Sequence, residues 1–92
     1  MSSTNGHKVA LKLMVGQEAD AVVSVIAESH PEAVIQRYPA YISIEGQNRL
    51  TVEIPRVVEA LGSDYDVTRF LVILSSYVGA IDVNDDSVTL TA

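Results

Sequence analysis

The stretch Tyr41–Ile54, YISIEGQNRLTVEI, constrains the fold more than any other part of the chain. Ile42 and Ile44 alternate with Tyr41, Ser43 and Glu45, and Leu50, Val52 and Ile54 alternate with Arg49, Thr51 and Glu53. A period of two puts the apolar set on one face of a strand and the polar set on the other. Gly46, Gln47 and Asn48 separate the two runs with turn-forming residues. The pattern predicts an antiparallel hairpin with one buried face.

On either side the period changes. KVALKLM (8–14) alternates, with Val9, Leu11 and Leu13 opposite Lys8 and Lys12, and reads as a half-buried strand broken by Gly16. From Glu18 to about Ser29, Ala19, Val22, Val23, Ile26 and Ala27 follow the spacing of a helix face. Glu18 and Asp20 suit the first turn of that helix, and Pro31 ends it by biasing His30 away from helical geometry. AVIQRY (33–38) reads as a short strand. Pro55 suits a helix start, Val57, Val58 and Leu61 supply its apolar edge, and Gly62 its C-terminal cap. SDYD (63–66) reads as a turn, VTRFLVILSS (67–76) as a long strand with Leu71–Leu74 in a sheet core, and SVTLTA (87–92) as a final strand.

The element order is strand, helix, strand, strand, then strand, helix, strand and at least one more strand. It predicts an α+β fold: a single small domain of two βαββ-like halves, with antiparallel hairpins packed on two helices. Residues 1–7 are polar and expected to form a flexible tail, leaving 8–92 as the folded domain. Ninety-two residues allow one core and little more. The N-terminal MSSTNGHK has no apolar segment of the export kind, no run approaches the roughly 20 apolar residues of a membrane span, and there is no cysteine. A cytoplasmic protein is expected.

Six Lys and Arg face twelve Asp and Glu, a net charge of −6. Nucleic acid and anionic membrane surfaces both select clustered cations, so neither is an expected partner. Proteins and small uncharged ligands remain. The residues for chemistry are sparse. The histidines are His7, in the tail, and His30, a helix C-terminal residue. DVNDD (82–86) lacks the glycine and glutamate of a calcium loop and reads as a solvated turn. Ser75 and Ser76 sit in no nucleophile elbow, the five glycines are isolated, and Tyr38, Tyr41, Tyr65 and Tyr77 read as packing aromatics. No catalytic, cofactor or metal site is expected. The residues alone leave open a protein-binding regulator, a small α+β ligand-binding domain, and a small enzyme using tyrosine and carboxylate groups.

A resemblance narrows the choice. NRL (48–50), a short helix ending in LG (61–62), the pair YDV (65–67), LVILSSYVGAID (71–82) and an acidic turn before a terminal strand resemble the MmoB/DmpM family. ESHPEAVIQRYPAYISIEG is similar to that family's helix end, proline turn and following strands. Its members are small effector, or coupling, proteins of bacterial multicomponent monooxygenases. The resemblance implies a chain without its own cofactor that docks on a di-iron hydroxylase. Electrons delivered by an NADH-dependent reductase are thereby coupled to hydroxylation of a hydrocarbon or aromatic substrate, and the small size points to the phenol hydroxylase type. The implied hydroxylase-facing patch falls on Ile73, Ser75, Ser76 and Tyr77, with Asn48, Arg49 and Arg69 as further candidate contacts. His30 departs from the pattern, standing before Pro31 where an asparagine is common.

Overall fold

The computed structural model describes residues 7–92. Of the tail expected over 1–7, His7 alone lies within the described residues, and its carbonyl accepts the Asn48 N–H at 2.7 Å. The chain runs β1 (Lys8–Met14), α1 (Gln17–Ser29), β2 (Val34–Arg37), β3 (Tyr41–Gln47), β4 (Arg49–Glu53), α2 (Ile54–Leu61), α3 (Val67–Ile73), β5 (Leu74–Val78), β6 (Ala80–Val83) and β7 (Ser87–Thr91). Two antiparallel sheets result, one ordered β2-β3-β1-β5 and the other β4-β7-β6. The fold is the expected α+β domain, with a third helix that the sequence pattern hides.

The core is built by the periodicities. Val9, Leu11 and Leu13 of β1 lie opposite Gly46, Ile44 and Ile42 of β3, so one face of the larger sheet is aliphatic and buried. Helix α1 covers the core with Ala19, Val22, Val23 and Ile26, widened by Ala21 and Val25, while Ala27 faces solvent instead of joining them. Helix α2 contributes Ile54 and Val57, and Gly62 closes it in the left-handed conformation, its N–H donating to the Val58 carbonyl at 2.9 Å. Leu50 and Val52 of β4 face Leu90 and Val88 of β7 from the smaller sheet.

Two expectations are corrected. The runs of 41–54 are strands with the expected buried faces, yet they do not pair with each other. Both edges of β3 are taken by β1 and β2, and β4 pairs with β7. A two-residue type I′ hairpin needs positive φ at both central residues, whereas here Asn48 alone, at φ 70°, turns the chain out of one sheet and into the other. The corner folds β4 back against β3 so closely that a Cβ at Gly46 would lie 2.7 Å from Leu50 Cδ2.

The second correction concerns 67–76. Instead of one strand, Val67–Ile73 form α3 and β5 begins at Leu74. Asp66 caps α3, its side chain accepting the Arg69 N–H at 2.9 Å. Phe70 is fully buried and Val67, Ile73 and Leu74 are half-buried against the same core, a three-to-four-residue spacing that belongs to a helix. Leu71 and Val72, expected in a sheet core, are exposed.

Candidate partner-docking edge

Strand β5 ends the larger sheet and, among the described residues, is bonded to β1 alone. Lys12 lies opposite Ser76 but Leu13 lies opposite Leu74, so Ser75 is an extra residue without a counterpart, a β-bulge. Its Oγ donates to the Lys12 carbonyl at 3.1 Å and thereby fastens the bulge to β1. Ser76 and Val78 share a face with Lys12 and Ala10, the side of the sheet turned away from the core. Tyr77 pairs with Leu11 at the sheet rim and is 45 % exposed, and Val78 is 61 % exposed. A small hydroxyl beside the exposed Val78 on an open strand leaves room for another protein's backbone and offers donor and acceptor at little entropic cost.

Gly79 carries the chain from this edge to β6, the corresponding edge of the smaller sheet. Its φ is 119°, and a Cβ there would lie 2.8 Å from the Thr91 carbonyl oxygen and 3.1 Å from Val9 Cγ1. The chain thus changes sheets at Asn48 and again at Gly79, both in positive-φ conformations. Thr91 stands between them in register, opposite Arg49 on one side and Ala80 on the other. Asn48 also accepts the Ala92 N–H at 2.9 Å.

The seven candidate contacts therefore do not form one cluster. Ser75, Ser76 and Tyr77 lie along the β5 edge. Ile73, the last residue of α3, is half-buried against the core. Asn48 and Arg49 stand at the end of β1 that begins with Lys8, whereas Arg69 is tied to the far end through Glu18. A seven-residue strand separates these ends by roughly 20 Å.

Arg69 is heavily used within the molecule. Its Nη2 donates to Glu18 Oε2 at 2.9 Å and its Nη1 to the Asp64 carbonyl at 3.0 Å, while the guanidinium lies 5.3 Å above the Tyr65 ring. It joins α1, the 64–66 turn and α3. Tyr65 beneath it is buried, and its Oη has no hydrogen-bond partner among the described residues. Burial, then the Glu18 carboxylate, push the Tyr65 phenol well above the ordinary tyrosine range, with Arg69 acting in the opposite direction.

Lys8, Arg37 and Arg56 are likewise paired, with Glu45, Asp20 and Glu28. Lys12 lies 5.1 Å from the Tyr41 ring centroid, and Tyr41 stacks on Tyr38 at 4.6 Å. From residue 70 to 92 the sequence carries Asp82, Asp85 and Asp86 and no basic residue. Among the described residues no three of His, Asp and Glu converge as a metal site, and no helix is long and apolar enough to cross a membrane. On the helical side, an open groove between α1 and α2 is lined by Ser24, Glu28, Arg56 and Glu59, with the Arg56–Glu28 ion pair of 2.6 Å in its wall.

Comparison with known proteins decides the family. The model of the MmoB/DmpM family matches residues 7–91. The chain belongs to the MmoB/DmpM family. It is 39 % identical over 69 residues to the stimulatory component DmpM of phenol 2-monooxygenase from Pseudomonas sp. (strain CF600), covering 75 % of this chain and 77 % of the relative. It is 31 % identical over 71 residues to the effector component of propane 2-monooxygenase from Gordonia sp. (strain TY-5), covering 77 % and 64 %. A chain from a solved phenol hydroxylase–regulatory protein complex superposes with a TM-score of 0.83 at 28 % identity, over 92 % of this chain and 98 % of that one.

In this MmoB/DmpM member the open edge has an apolar neighbour that sequence reasoning missed. Met14 and Val15, at the end of β1 opposite Leu74, are exposed, and so are Leu71 and Val72, the latter at 70 %. The signal was the N-cap Asp66 followed by Val67, Phe70 and Ile73 at helical spacing, which turns Val72 outward.

Proposed function

We propose that this chain is a non-catalytic, cytoplasmic effector that docks on the di-iron hydroxylase of a multicomponent monooxygenase through the β5 edge. One observation carries the reading: β5 holds Ser76, Tyr77 and Val78 exposed on an edge strand bonded on one side alone. Tyr77 and Val78 would supply the apolar anchors, and Ser76 the close approach. Ser75 would keep the bulge in shape, and Ile73 would set the angle at which α3 meets the edge. Asn48 and Arg49 would flank the contact at one end and Arg69 at the other, where its guanidinium already serves Glu18. Residues 8–92 would act as one effector domain.

The relatives support this role, since one is a stimulatory and another an effector component of a monooxygenase. An interface of standard size would cover about 800 Å² of this chain. To change turnover the effector must bind one state of the hydroxylase better than another, favouring the state in which electrons from an NADH-dependent reductase reach substrate oxidation. Phenol or a related small aromatic is the substrate class suggested by the phenol hydroxylase relatives.

Capture tests the reading. The tagged chain, folded and exposed to lysate of its native cells grown on a small aromatic substrate, is expected to retain a large protein containing iron. Retention of no iron protein by the folded bait argues against an effector.

A further inference from the structure

We propose that His30 is a proton-operated latch that fastens the end of α1 to the open side of β4. Pairing of β4 with β7 fixes which backbone groups point where. The Asn48 carbonyl accepts the Ala92 N–H and the Ile54 N–H donates to the Asp86 carbonyl, so the Asn48 carbonyl and the backbone groups of Leu50, Val52 and Ile54 face β7, while the Asn48 N–H is taken by the His7 carbonyl. Those of Arg49, Thr51 and Glu53 face the other way. The Thr51 N–H would have no strand partner on that side, and it donates to His30 Nε2 at 3.2 Å. His30 is the C-cap residue of α1, its backbone N–H donating to the Ile26 carbonyl at 2.7 Å.

This contact requires Nε2 to be unprotonated. His30 Nδ1 lies 3.8 Å from Glu32 Oε2, so the neutral ring carries its proton on Nδ1, facing that carboxylate. A second proton would turn Nε2 from acceptor to donor and set it against the Thr51 N–H. The cation would instead be held by Glu32 and by the carbonyl end of α1. The other charges around the ring leave that balance in place. From β4 come Arg49 and Glu53, of opposite sign and each two residues from Thr51. Glu28, in the last turn of α1, is occupied by Arg56 of α2. Proton uptake therefore frees the Thr51 N–H from the end of α1, without dissolving the β4–β7 ladder on its other side.

The test uses the isotope-labelled full chain, followed by NMR between about pH 5 and 8. The expected neutral ring has its proton on Nδ1. Exchange of the Thr51 amide, measured relative to Leu50 and Val52, is expected to quicken roughly fivefold as the imidazole takes up its proton. In His30→Ala the Thr51 amide should exchange at the faster relative rate at every pH, with the Leu50 and Val52 amides still protected. A neutral ring protonated on Nε2 overturns the proposal. So does a Thr51-to-Leu50 exchange ratio that stays flat through the imidazole titration.

Discussion

The Ser75 hydroxyl donates to the Lys12 carbonyl at 3.1 Å, across the step where β5 slips by one residue against β1. Ser76, beside it, lies on the outer face of the sheet, opposite Lys12, and is exposed. Two adjacent serines thus have different work. One shapes the edge and the other is presented by it.

Stability should separate them. Ser75→Ala removes a hydrogen bond at the bulge and is expected to cost about 0.5–1.5 kcal/mol in urea unfolding. Ser76→Ala is expected to stay within about 0.5 kcal/mol of the parent. Equal losses at both positions would contradict the assignment of the bulge to Ser75.

Helix α3 makes a second prediction. Phe70→Ala empties a fully buried site and should cost about 3–5 kcal/mol. Val72→Asp changes a side chain that is 70 % exposed and should cost under about 1 kcal/mol. Chemical denaturation of the two variants checks this, since a buried strand over 71–74 would make the aspartate the more damaging change.

The contrast shows what was legible. Strand β1 carries an unbroken period and its buried face follows from spacing alone, and spacing also finds Ala19, Val22, Val23 and Ile26 of α1 and Val57 of α2, though not the exposure of Ala27. Val67–Leu74 is rich in β-branched and aromatic residues, and its strand-like composition masks a helix that depends on Asp66 and on burial of Phe70. The pairing of β3 and β4 was misread for another reason. Alternation reports which face is buried and carries no information about which strand lies alongside. As for the edge, the unusual serine pair was visible in the sequence, whereas the bulge and the open side of β5 depend on contacts more than 60 residues apart.

Gly79 joins the two edges, and no other residue fits there. Gly79→Ala combines a φ of 119° with a Cβ placed 2.8 Å from the Thr91 oxygen. A loss of about 2–3 kcal/mol is expected, read as a lowered urea midpoint with an unchanged slope. A neutral substitution would contradict the sheet change at this residue.

Tyr65 gives a dependence on alkaline pH. Its folded-state pKa is raised, chiefly by burial, so the native state resists ionisation while the unfolded state ionises near about 10. Stability from this group is complete below that value and declines as pH rises above it. Tyr65→Phe removes a hydroxyl that has no partner, so it should cost less than about 1 kcal/mol at neutral pH. Above about pH 10 the variant should lose less stability than the parent. Parallel decline of the two proteins with rising pH would contradict the burial of this phenol.

The most direct test of the docking edge is the ratio of product formed to NADH consumed by the hydroxylase and reductase, titrated with effector variants. Ser76→Trp fills the outer face of β5, while Glu59→Trp places the same bulk on exposed α2. With both variants folded, the account predicts that Ser76→Trp lowers the ratio at every effector concentration and that Glu59→Trp matches the parent. Full coupling by Ser76→Trp at ordinary effector concentration would contradict docking through this edge.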